Sequence, residues 1–267
     1  MTVQDDLSWA LAQYTSPRWQ NYKLYRRYYE GQHELAFATE KFRTTFGQMF
    51  KEFSENACRT VVDSLADRLK ITGFETTKAA ITKEQVQIPL PTPASPQIPG
   101  GQLNRQKVTV QDPLADQLWK IWKDNKMNRK ATKVHKEAMR LGDSYVIVWP
   151  QADGEPGIWP QRGDQCCVRY DDETGDQIEL GSKIWYDDRE KMWYCNLYYP
   201  DAPITKFRMS STQTANVPTF SAHADRWEVY EEVDNPYGRV PLFHFPNAAT
   251  CEYGYSELKD IIPCRTG

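Results

Sequence analysis

Three side chains have the chemistry a hydrolase or nuclease would need: His135 and Glu137 as proton carriers and Ser256 as a nucleophile. Ser256 lies in Gly254-Tyr255-Ser256-Glu257-Leu258, which opens like a nucleophile elbow but lacks its second glycine, and no strong strand pattern precedes it. A hydroxyl there suits a helix cap, accepting from a backbone N–H that has no intrahelical partner. His135-Lys136-Glu137 sits in a helical pattern without the second histidine, four residues away, of a zinc protease. Asp171-Asp172-Glu173-Thr174-Gly175-Asp176 resembles a calcium loop, but its glycine comes one place early and the distal glutamate is misplaced. A solvated hairpin tip has the same composition. The six cysteines (Cys58, Cys166, Cys167, Cys195, Cys251, Cys264) have no metal-ligand spacing, and no resolving pattern surrounds the vicinal pair. No phosphate-cradling Gly-x-x-x-x-Gly-Lys-Ser/Thr loop is present. The spacing therefore assigns no catalytic, cofactor-binding or metal-ligating residue.

Binding chemistry is suggested at two places. Arg18-Trp19-Gln20-Asn21-Tyr22-Lys23-Leu24-Tyr25-Arg26-Arg27-Tyr28-Tyr29 interleaves cations and rings, as a single-strand nucleic-acid face would. On a helix, however, the rings fall mainly on one side and the cations on the other, so a helix packing through Tyr and Trp is the simpler reading. Pro89, Pro91, Pro93, Pro96 and Pro99, followed by Gly100-Gly101, form a polyproline-like excursion that a partner domain could take as a ligand.

Helical periodicity dominates residues 5–74. Trp19, Tyr22, Tyr25 or Arg26, and Tyr29 recur at near three-to-four spacing up to Gly31, a natural helix stop. Phe42, Phe46, Met49, Phe50 and Phe53 continue the theme. Cys58, Val61, Val62, Leu65 and Leu69 form a stripe capped by Asn56 or Ser54, with a short exit strand over 71–74. Residues 75–107 lose periodicity, and their prolines predict a mobile excursion, 78–106, with too little apolar surface to order. Asp112-Pro113 opens a helix with Leu114, Leu118, Ile121 and Trp122 buried and an end near Asn125. A second helix, from about Asn128 to Gly142, turns Ala131, Val134 or His135, Ala138 and Met139 inward. The period then becomes two. Strands are predicted over 145–149, 167–170, 178–186, 192–199 and 204–209, with acidic turns between them. Two more, 227–233 and 240–245, flank Asn235-Pro236-Tyr237-Gly238. The expected class is α+β, N-terminal helices followed by an antiparallel β-meander.

Composition narrows the class further. The 267 residues carry 33 Lys+Arg against 36 Asp+Glu, a net charge of -3, without the basic excess of a sequence-blind phosphate binder. Apolar residues reach only 40% and mean hydropathy is -0.72. The 9 Trp, 15 Tyr and 10 Phe compensate, since a ring buries a large area while keeping a polar edge wet. Such a profile suits a protein with more interface than an isolated monomer needs. No apolar run is long enough for a membrane span, and the acidic N-terminus lacks the form of a signal peptide. The cysteines read as reduced thiols in a cytoplasmic setting.

Taken in order, several motifs resemble one family. Tyr22-x-x-Tyr25-x-x-Tyr28-Tyr29-Glu30-Gly31 is similar to the opening helix of tailed-bacteriophage portal proteins, and Asn56-x-Cys58-x-x-Val61-Val62-Asp63-x-Leu65-Ala66-Asp67-Arg68-Leu69-x-Ile71-x-Gly73-Phe74 to their next segment. His135-Lys136-Glu137-Ala138, Gly142-Asp143-Ser144-Tyr145-Val146-Ile147-Val148-Trp149, Asn235-Pro236-Tyr237-Gly238-x-Val240-Pro241-Leu242 and Tyr253-Gly254-x-Ser256-Glu257-Leu258 follow in that family's order. The pattern is that of the siphophage type and runs from about Tyr22 to Ile262.

The resemblance implies a ring at a capsid vertex, usually dodecameric, through which double-stranded DNA is packaged and ejected. Its implied partners are other portal subunits, capsid or scaffolding protein, the terminase large subunit, a head-tail adaptor and DNA, with no membrane and no cofactor. The ring is a structural part of the virion, assembled in the host cytoplasm, and is not an enzyme. Residues 1–74 would be the helical part of the wing, 75–107 its proline-rich loop, and 108–262 a helical pair with the wing's β region. Pro263-Cys264-Arg265-Thr266-Gly267 breaks the pattern where the family continues into stem, clip and crown, so the resemblance implies a truncated chain, mainly wing. Two rivals belong to other classes: a phage hydrolase or nuclease using His135, Glu137 or Ser256, and an interaction module using the Pro89–Pro99 loop.

Overall fold

A computed structural model describes residues 2–32, 56–75, 112–173, 175–210, 212–214, 217–247 and 253–262. The aromatic helix expected around 42–53, most of the 75–107 excursion, Cys251, Cys264 and the 263–267 end lie outside the described residues. By contact, the chain forms one unit of Met1–Lys70 with Arg129–Gly267 and a smaller one of Ile71–Asn128.

Helix starts follow local chemistry. Helix α1 (Val3–Thr15) opens on a capping box: Asp5 N–H donates to the Thr2 hydroxyl at 3.2 Å, and Thr2 N–H to the Asp5 carboxylate at 2.8 Å. Ser16-Pro17 breaks the path, because a proline at the first helical position can begin a helix but not continue one. Helix α2 (Pro17–Tyr29) then runs to Gly31, whose φ of +80° a glycine adopts without strain. Trp19, Tyr22 and Tyr28 are its buried face, as the ring-on-one-side reading expects. Helix α3 (Ala57–Ala66) is capped by Asn56, which accepts from Arg59 N–H at 3.1 Å.

Two stripes differ from expectation. In α3 the buried residues are Cys58, Val62 and Ala66; the helix ends at Ala66, so Leu69 falls beyond it and is 46% exposed. Residues 71–75 are coil, not an exit strand. Helix α4 (Pro113–Asp124), in the smaller unit, has its Asp112 cap and ends at Asn125 as expected, yet none of its residues is buried. Leu114 is 51% and Leu118 39% exposed, because the described packing on this helix is aromatic: Phe74 meets Trp119 at 5.8 Å and Trp122 at 5.6 Å.

Helix α5 (Met127–Leu141) buries Met127, Ala131, Val134 and Leu141 and hands the chain to strand β1 (Asp143–Pro150) through Gly142. Strand β2 (Pro156–Gln161) pairs with β1 around Gly154; the sequence reading omitted it because two prolines and a glycine hide its strand character. Strands β3 (Cys166–Tyr170), β4 (Ile178–Asp187), β5 (Met192–Tyr198) and β6 (Ile204–Ser210) form the expected antiparallel meander. Strands β7 (Thr212–Thr214) and β8 (Val217–Thr219) make a small separate hairpin. Strand β9 (Glu228–Val233) pairs with β6, whereas β10 (Leu242–Pro246) pairs with β1. The two strands flanking Asn235-Pro236-Tyr237-Gly238 thus enter different sheets, of order β3-β4-β5-β6-β9 and β10-β1-β2.

Leu7, Ala10, Leu11 and Tyr14 of α1, with Trp19 and Tyr22 of α2, cover the inner face of the five-stranded sheet, meeting Leu180, Ile184, Cys195, Leu197 and Phe207. Each such aliphatic contributes on the order of 1.5–3 kcal/mol on burial. A second core joins Tyr145, Val168, Tyr198, Val240 and Leu242 across the two sheets. A third sets Tyr28, Cys58 and Val62 around Leu258 and Ile262, which ties the 253–262 segment to α2 and α3.

Candidate functional site

Asp143 begins β1 in the turn after α5, a place where a carboxylate is ordinarily wet, yet its side chain is fully buried. It persists because donors surround it. Oδ1 accepts from Gly254 N–H and from His244 Nε2, both at 2.8 Å, and Oδ2 accepts from the Tyr22 hydroxyl. A carboxylate can only accept, so His244 Nε2 is the donor in that bond; its Nδ1 bonds the Tyr170 hydroxyl at 2.8 Å. Rings close the cage. Tyr145 stacks on His244 at 4.7 Å, Tyr253 lies 5.5 Å from it, and the Arg18 guanidinium sits 3.4 Å over Tyr253. Burial, then the Asp143 charge, pushes the Tyr22 hydroxyl far above its ordinary range, so it stays a donor.

The segment after β10 is fastened to the same turn by its backbone. Asn247 N–H donates to Gly142 O at 2.7 Å, and Glu257 N–H to Met139 O at 2.9 Å. The Asn247 amide reaches Tyr255 O at 2.8 Å and Glu257 Oε1 at 2.9 Å. Gly142 has φ +100°, and a Cβ there would stand 2.8 Å from Gly254 O. Two glycines are what let these two backbones touch.

Of the candidate hydrolytic residues, Ser256 and Glu137 are occupied with architecture, whereas the buried Nδ1 of His135 has no hydrogen-bond partner among the described residues. The Ser256 hydroxyl donates to Arg140 O and accepts from Leu258 N–H at 3.0 Å; it opens a turn over 257–261, not the helix expected to follow it. Glu137 Oε1 accepts from Arg26 at 2.9 Å and from Gly163 N–H at 3.1 Å, while Arg140 holds Oε2. His135 is half-buried, and desolvation lowers its pKa. Arg26 also reaches Asp164 at 3.1 Å, so this cation of α2 is committed to two carboxylates of its own chain. On α3, Asp63 accepts from Tyr29 at 2.8 Å and pairs with Lys136 at 2.9 Å. Burial raises the Asp63 pKa, but the Lys136 and Tyr29 bonds outweigh it and hold the carboxyl below its usual range.

Cys58, Cys166, Cys167 and Cys195 are buried free thiols; burial pushes Cys167 and Cys195 up to about 12, the opposite of a reactive thiolate. Among the described residues no group of His, Cys, Asp and Glu could hold a metal ion, and no helix is long and apolar enough to cross a membrane.

Tyr22, Asp143 and Gly254 come from three separate portal-like motifs, and Glu137 and Asp63 from two more. The model of one protein family, phage portal protein of the SPP1 Gp6-like type, matches residues 16–264. The chain belongs to that family. A search of curated proteins finds no match to it. The match covers α2 through the 253–262 segment, and three of the motifs meet at Asp143. In the sequence Asp143 falls inside one of the portal-like motifs, whereas His244 falls in none. Their pairing, 101 positions apart, has no local signature beyond an aspartate placed directly before an apolar strand.

Proposed function

We propose that this chain is a portal subunit, contributing the wing of a ring at the capsid vertex through which double-stranded DNA enters and leaves. The observation that carries the reading is the family match over residues 16–264, which spans nearly all of the 267-residue chain. The geometry around Asp143 supports it. Side chains that an enzyme would leave free for substrate are committed to joining α2, α5, β10 and the 253–262 segment. The chain acts as a rigid part, without chemistry of its own, and the terminase large subunit supplies the energy for DNA movement. Other subunits, capsid or scaffolding protein, a head-tail adaptor and DNA are its partners, in the virion and during assembly in the host cytoplasm.

The test is genetic and structural. Disrupting the gene in the phage that encodes it should give heads that contain no DNA, and restoring it in trans should restore filled heads. Antibody labelling of purified virions should mark a single vertex. Infectious, DNA-filled particles formed without the chain would refute the reading.

A further inference from the structure

Strand β9 is the outer strand of the five-stranded sheet; β6 takes one of its edges and no described strand takes the other. Five of its six residues are exposed, and Glu228-Val229-Tyr230-Glu231-Glu232-Val233 holds three glutamates and no cation. The outer strands of the other sheet carry prolines, Pro156 and Pro160 in β2 and Pro246 in β10, which discourage pairing; β9 carries none. Glu228 and Glu231 are partly neutralised by Arg208 at 2.6 Å and Lys206 at 2.8 Å. Glu232 and the neighbouring Asp234 are exposed and have no ion pair among the described residues.

A shelf of rings adjoins this edge. Trp185 stacks on Tyr194 at 5.3 Å, and Tyr194 meets Tyr230 edge-on at 5.5 Å. Lys183 and Arg208 lie over Trp185 and Tyr230 at 4.9 and 5.8 Å. Tyr230 is 36% and Val229 51% exposed. Tyr, Trp and Arg are the residues that dominate binding energy at protein interfaces.

The complementary charge is on the same chain. Helix α5 carries Arg129, Lys130, Lys133, Lys136 and Arg140 against the single acid Glu137. Lys136 and Arg140 are held by Asp63 and Glu137, and Lys130 reaches Ile158 O at 2.7 Å. Arg129 and Lys133, one helical turn apart, are exposed and have no ion pair among the described residues.

We propose that the β9 edge of one copy docks against the Arg129–Lys133 face of α5 in a second copy. Arg129 takes the Tyr230 ring as a cation–π partner, and Lys133 takes Glu232 and Asp234. The two surfaces differ, so the contact is head-to-tail and each copy keeps one free surface for the next. This inference rests on the portal reading, in which repeated head-to-tail contacts close a ring.

The test mixes unlabelled and ¹⁵N-labelled chain, joins touching carboxylates and amines with a zero-length carbodiimide, and reads the linked peptides by mass spectrometry. Mixed-isotope links from Lys133 to Glu232 or Asp234 are expected; links to Lys133 confined to one isotope overturn the proposal. Reversing the edge (Glu232→Lys with Asp234→Lys) or the helix face (Arg129→Glu with Lys133→Glu) should weaken self-association at least tenfold in sedimentation velocity. Mixing the two reversed variants should restore association, with the two alternating in equal amounts. Unchanged association of both variants, or a chain that stays monomeric at every concentration, overturns the contact. Either result leaves the portal reading to its own test, DNA filling of heads. Thermal unfolding of each variant separates lost docking from lost folding, since all four positions are on the surface.

Discussion

Replacing Asp143 by asparagine keeps the volume but turns one acceptor oxygen into an NH2 group facing donors already in place from Tyr22, His244 and Gly254. The NH2 would face the Tyr22 hydroxyl, which loses its acceptor and must turn its proton elsewhere in a fully buried site. The expected loss is about 2–4 kcal/mol, measured as a shift of the urea midpoint at constant slope. His244→Ala should cost less, because it leaves Asp143 two of its donors. At Asp63 the sign is set by a carboxyl whose folded pKa is depressed. Its contribution is fully present above the ordinary carboxylate value of about 4 and is lost as the pH falls through the lower folded one. The stability difference between the parent chain and Asp63→Asn should therefore vanish at low pH. On the alkaline side, the raised pKa of Lys136 predicts loss only above the ordinary lysine range. A flat difference across both limbs would mean that the pair does not couple to folding. For the thiols, burial predicts that Cys58, Cys166, Cys167 and Cys195 resist iodoacetamide at pH 8 in the folded chain and react once it is unfolded, as peptide mass spectra would report.

Gly142 separates α5 from β1, and its replacement is an element-scale lesion. An alanine there adopts φ +100° at roughly 1–3 kcal/mol and drives its Cβ into the Gly254 backbone, which cannot swing aside as a side chain can. Gly142→Ala should lower the thermal midpoint and also loosen the 253–262 segment, detectable as faster amide exchange at Tyr255 and Glu257. An unchanged exchange rate there would show that the segment is held from elsewhere. The sequence marks this glycine well, because a helix stop before an alternating strand is a local pattern. The same is true of the Asn56 and Asp112 caps, of the proline restart at Pro17, and of the four meander strands. What local pattern could not convey is partnership. Strands β9 and β10 were legible as strands, but which sheet each joins depends on β6 and β1, and the turn between them reads like a hairpin. Strand β2 was hidden by Pro156, Gly157 and Pro160, tolerated because β2 is at an edge. The amphipathic stripe of α4 was legible too, but a stripe says which side is apolar, not whether anything covers it. At the site, a local bonding role for the Ser256 hydroxyl was legible but the helix expected after it is a turn, and the Tyr22–Asp143–His244 meeting joins positions more than a hundred apart.

Across the whole molecule, stability should be graded by how much of each element is enclosed. Helices α1 and α2 share one core with β4, β5 and β6, with Leu7, Ala10, Leu11, Leu180 and Leu197 fully buried, so none of these elements can open without exposing the others. Arg169 pins α1 to the sheet through Asp6 at 2.9 Å, and Tyr199 bonds the same carboxylate at 3.2 Å. Helix α4, in contrast, has no buried residue, and its described aromatic contacts are with Phe74 and between its own rings. Local opening costs little where few apolar contacts are lost, and global opening is needed where a core is shared. Hydrogen exchange read by mass spectrometry should therefore give α1, α2 and the central strands one common, slow rate set by global unfolding. The amides of α4 should exchange at least a hundredfold faster, and the Asp143→Asn change should speed the slow class while leaving α4 where it was. Docking in an assembled ring would add protection at β9 and at Arg129 and Lys133, and leave α1 unaffected because its core face is already closed. Protection of α4 equal to that of α1 in the isolated chain would mean that its apolar stripe is covered after all.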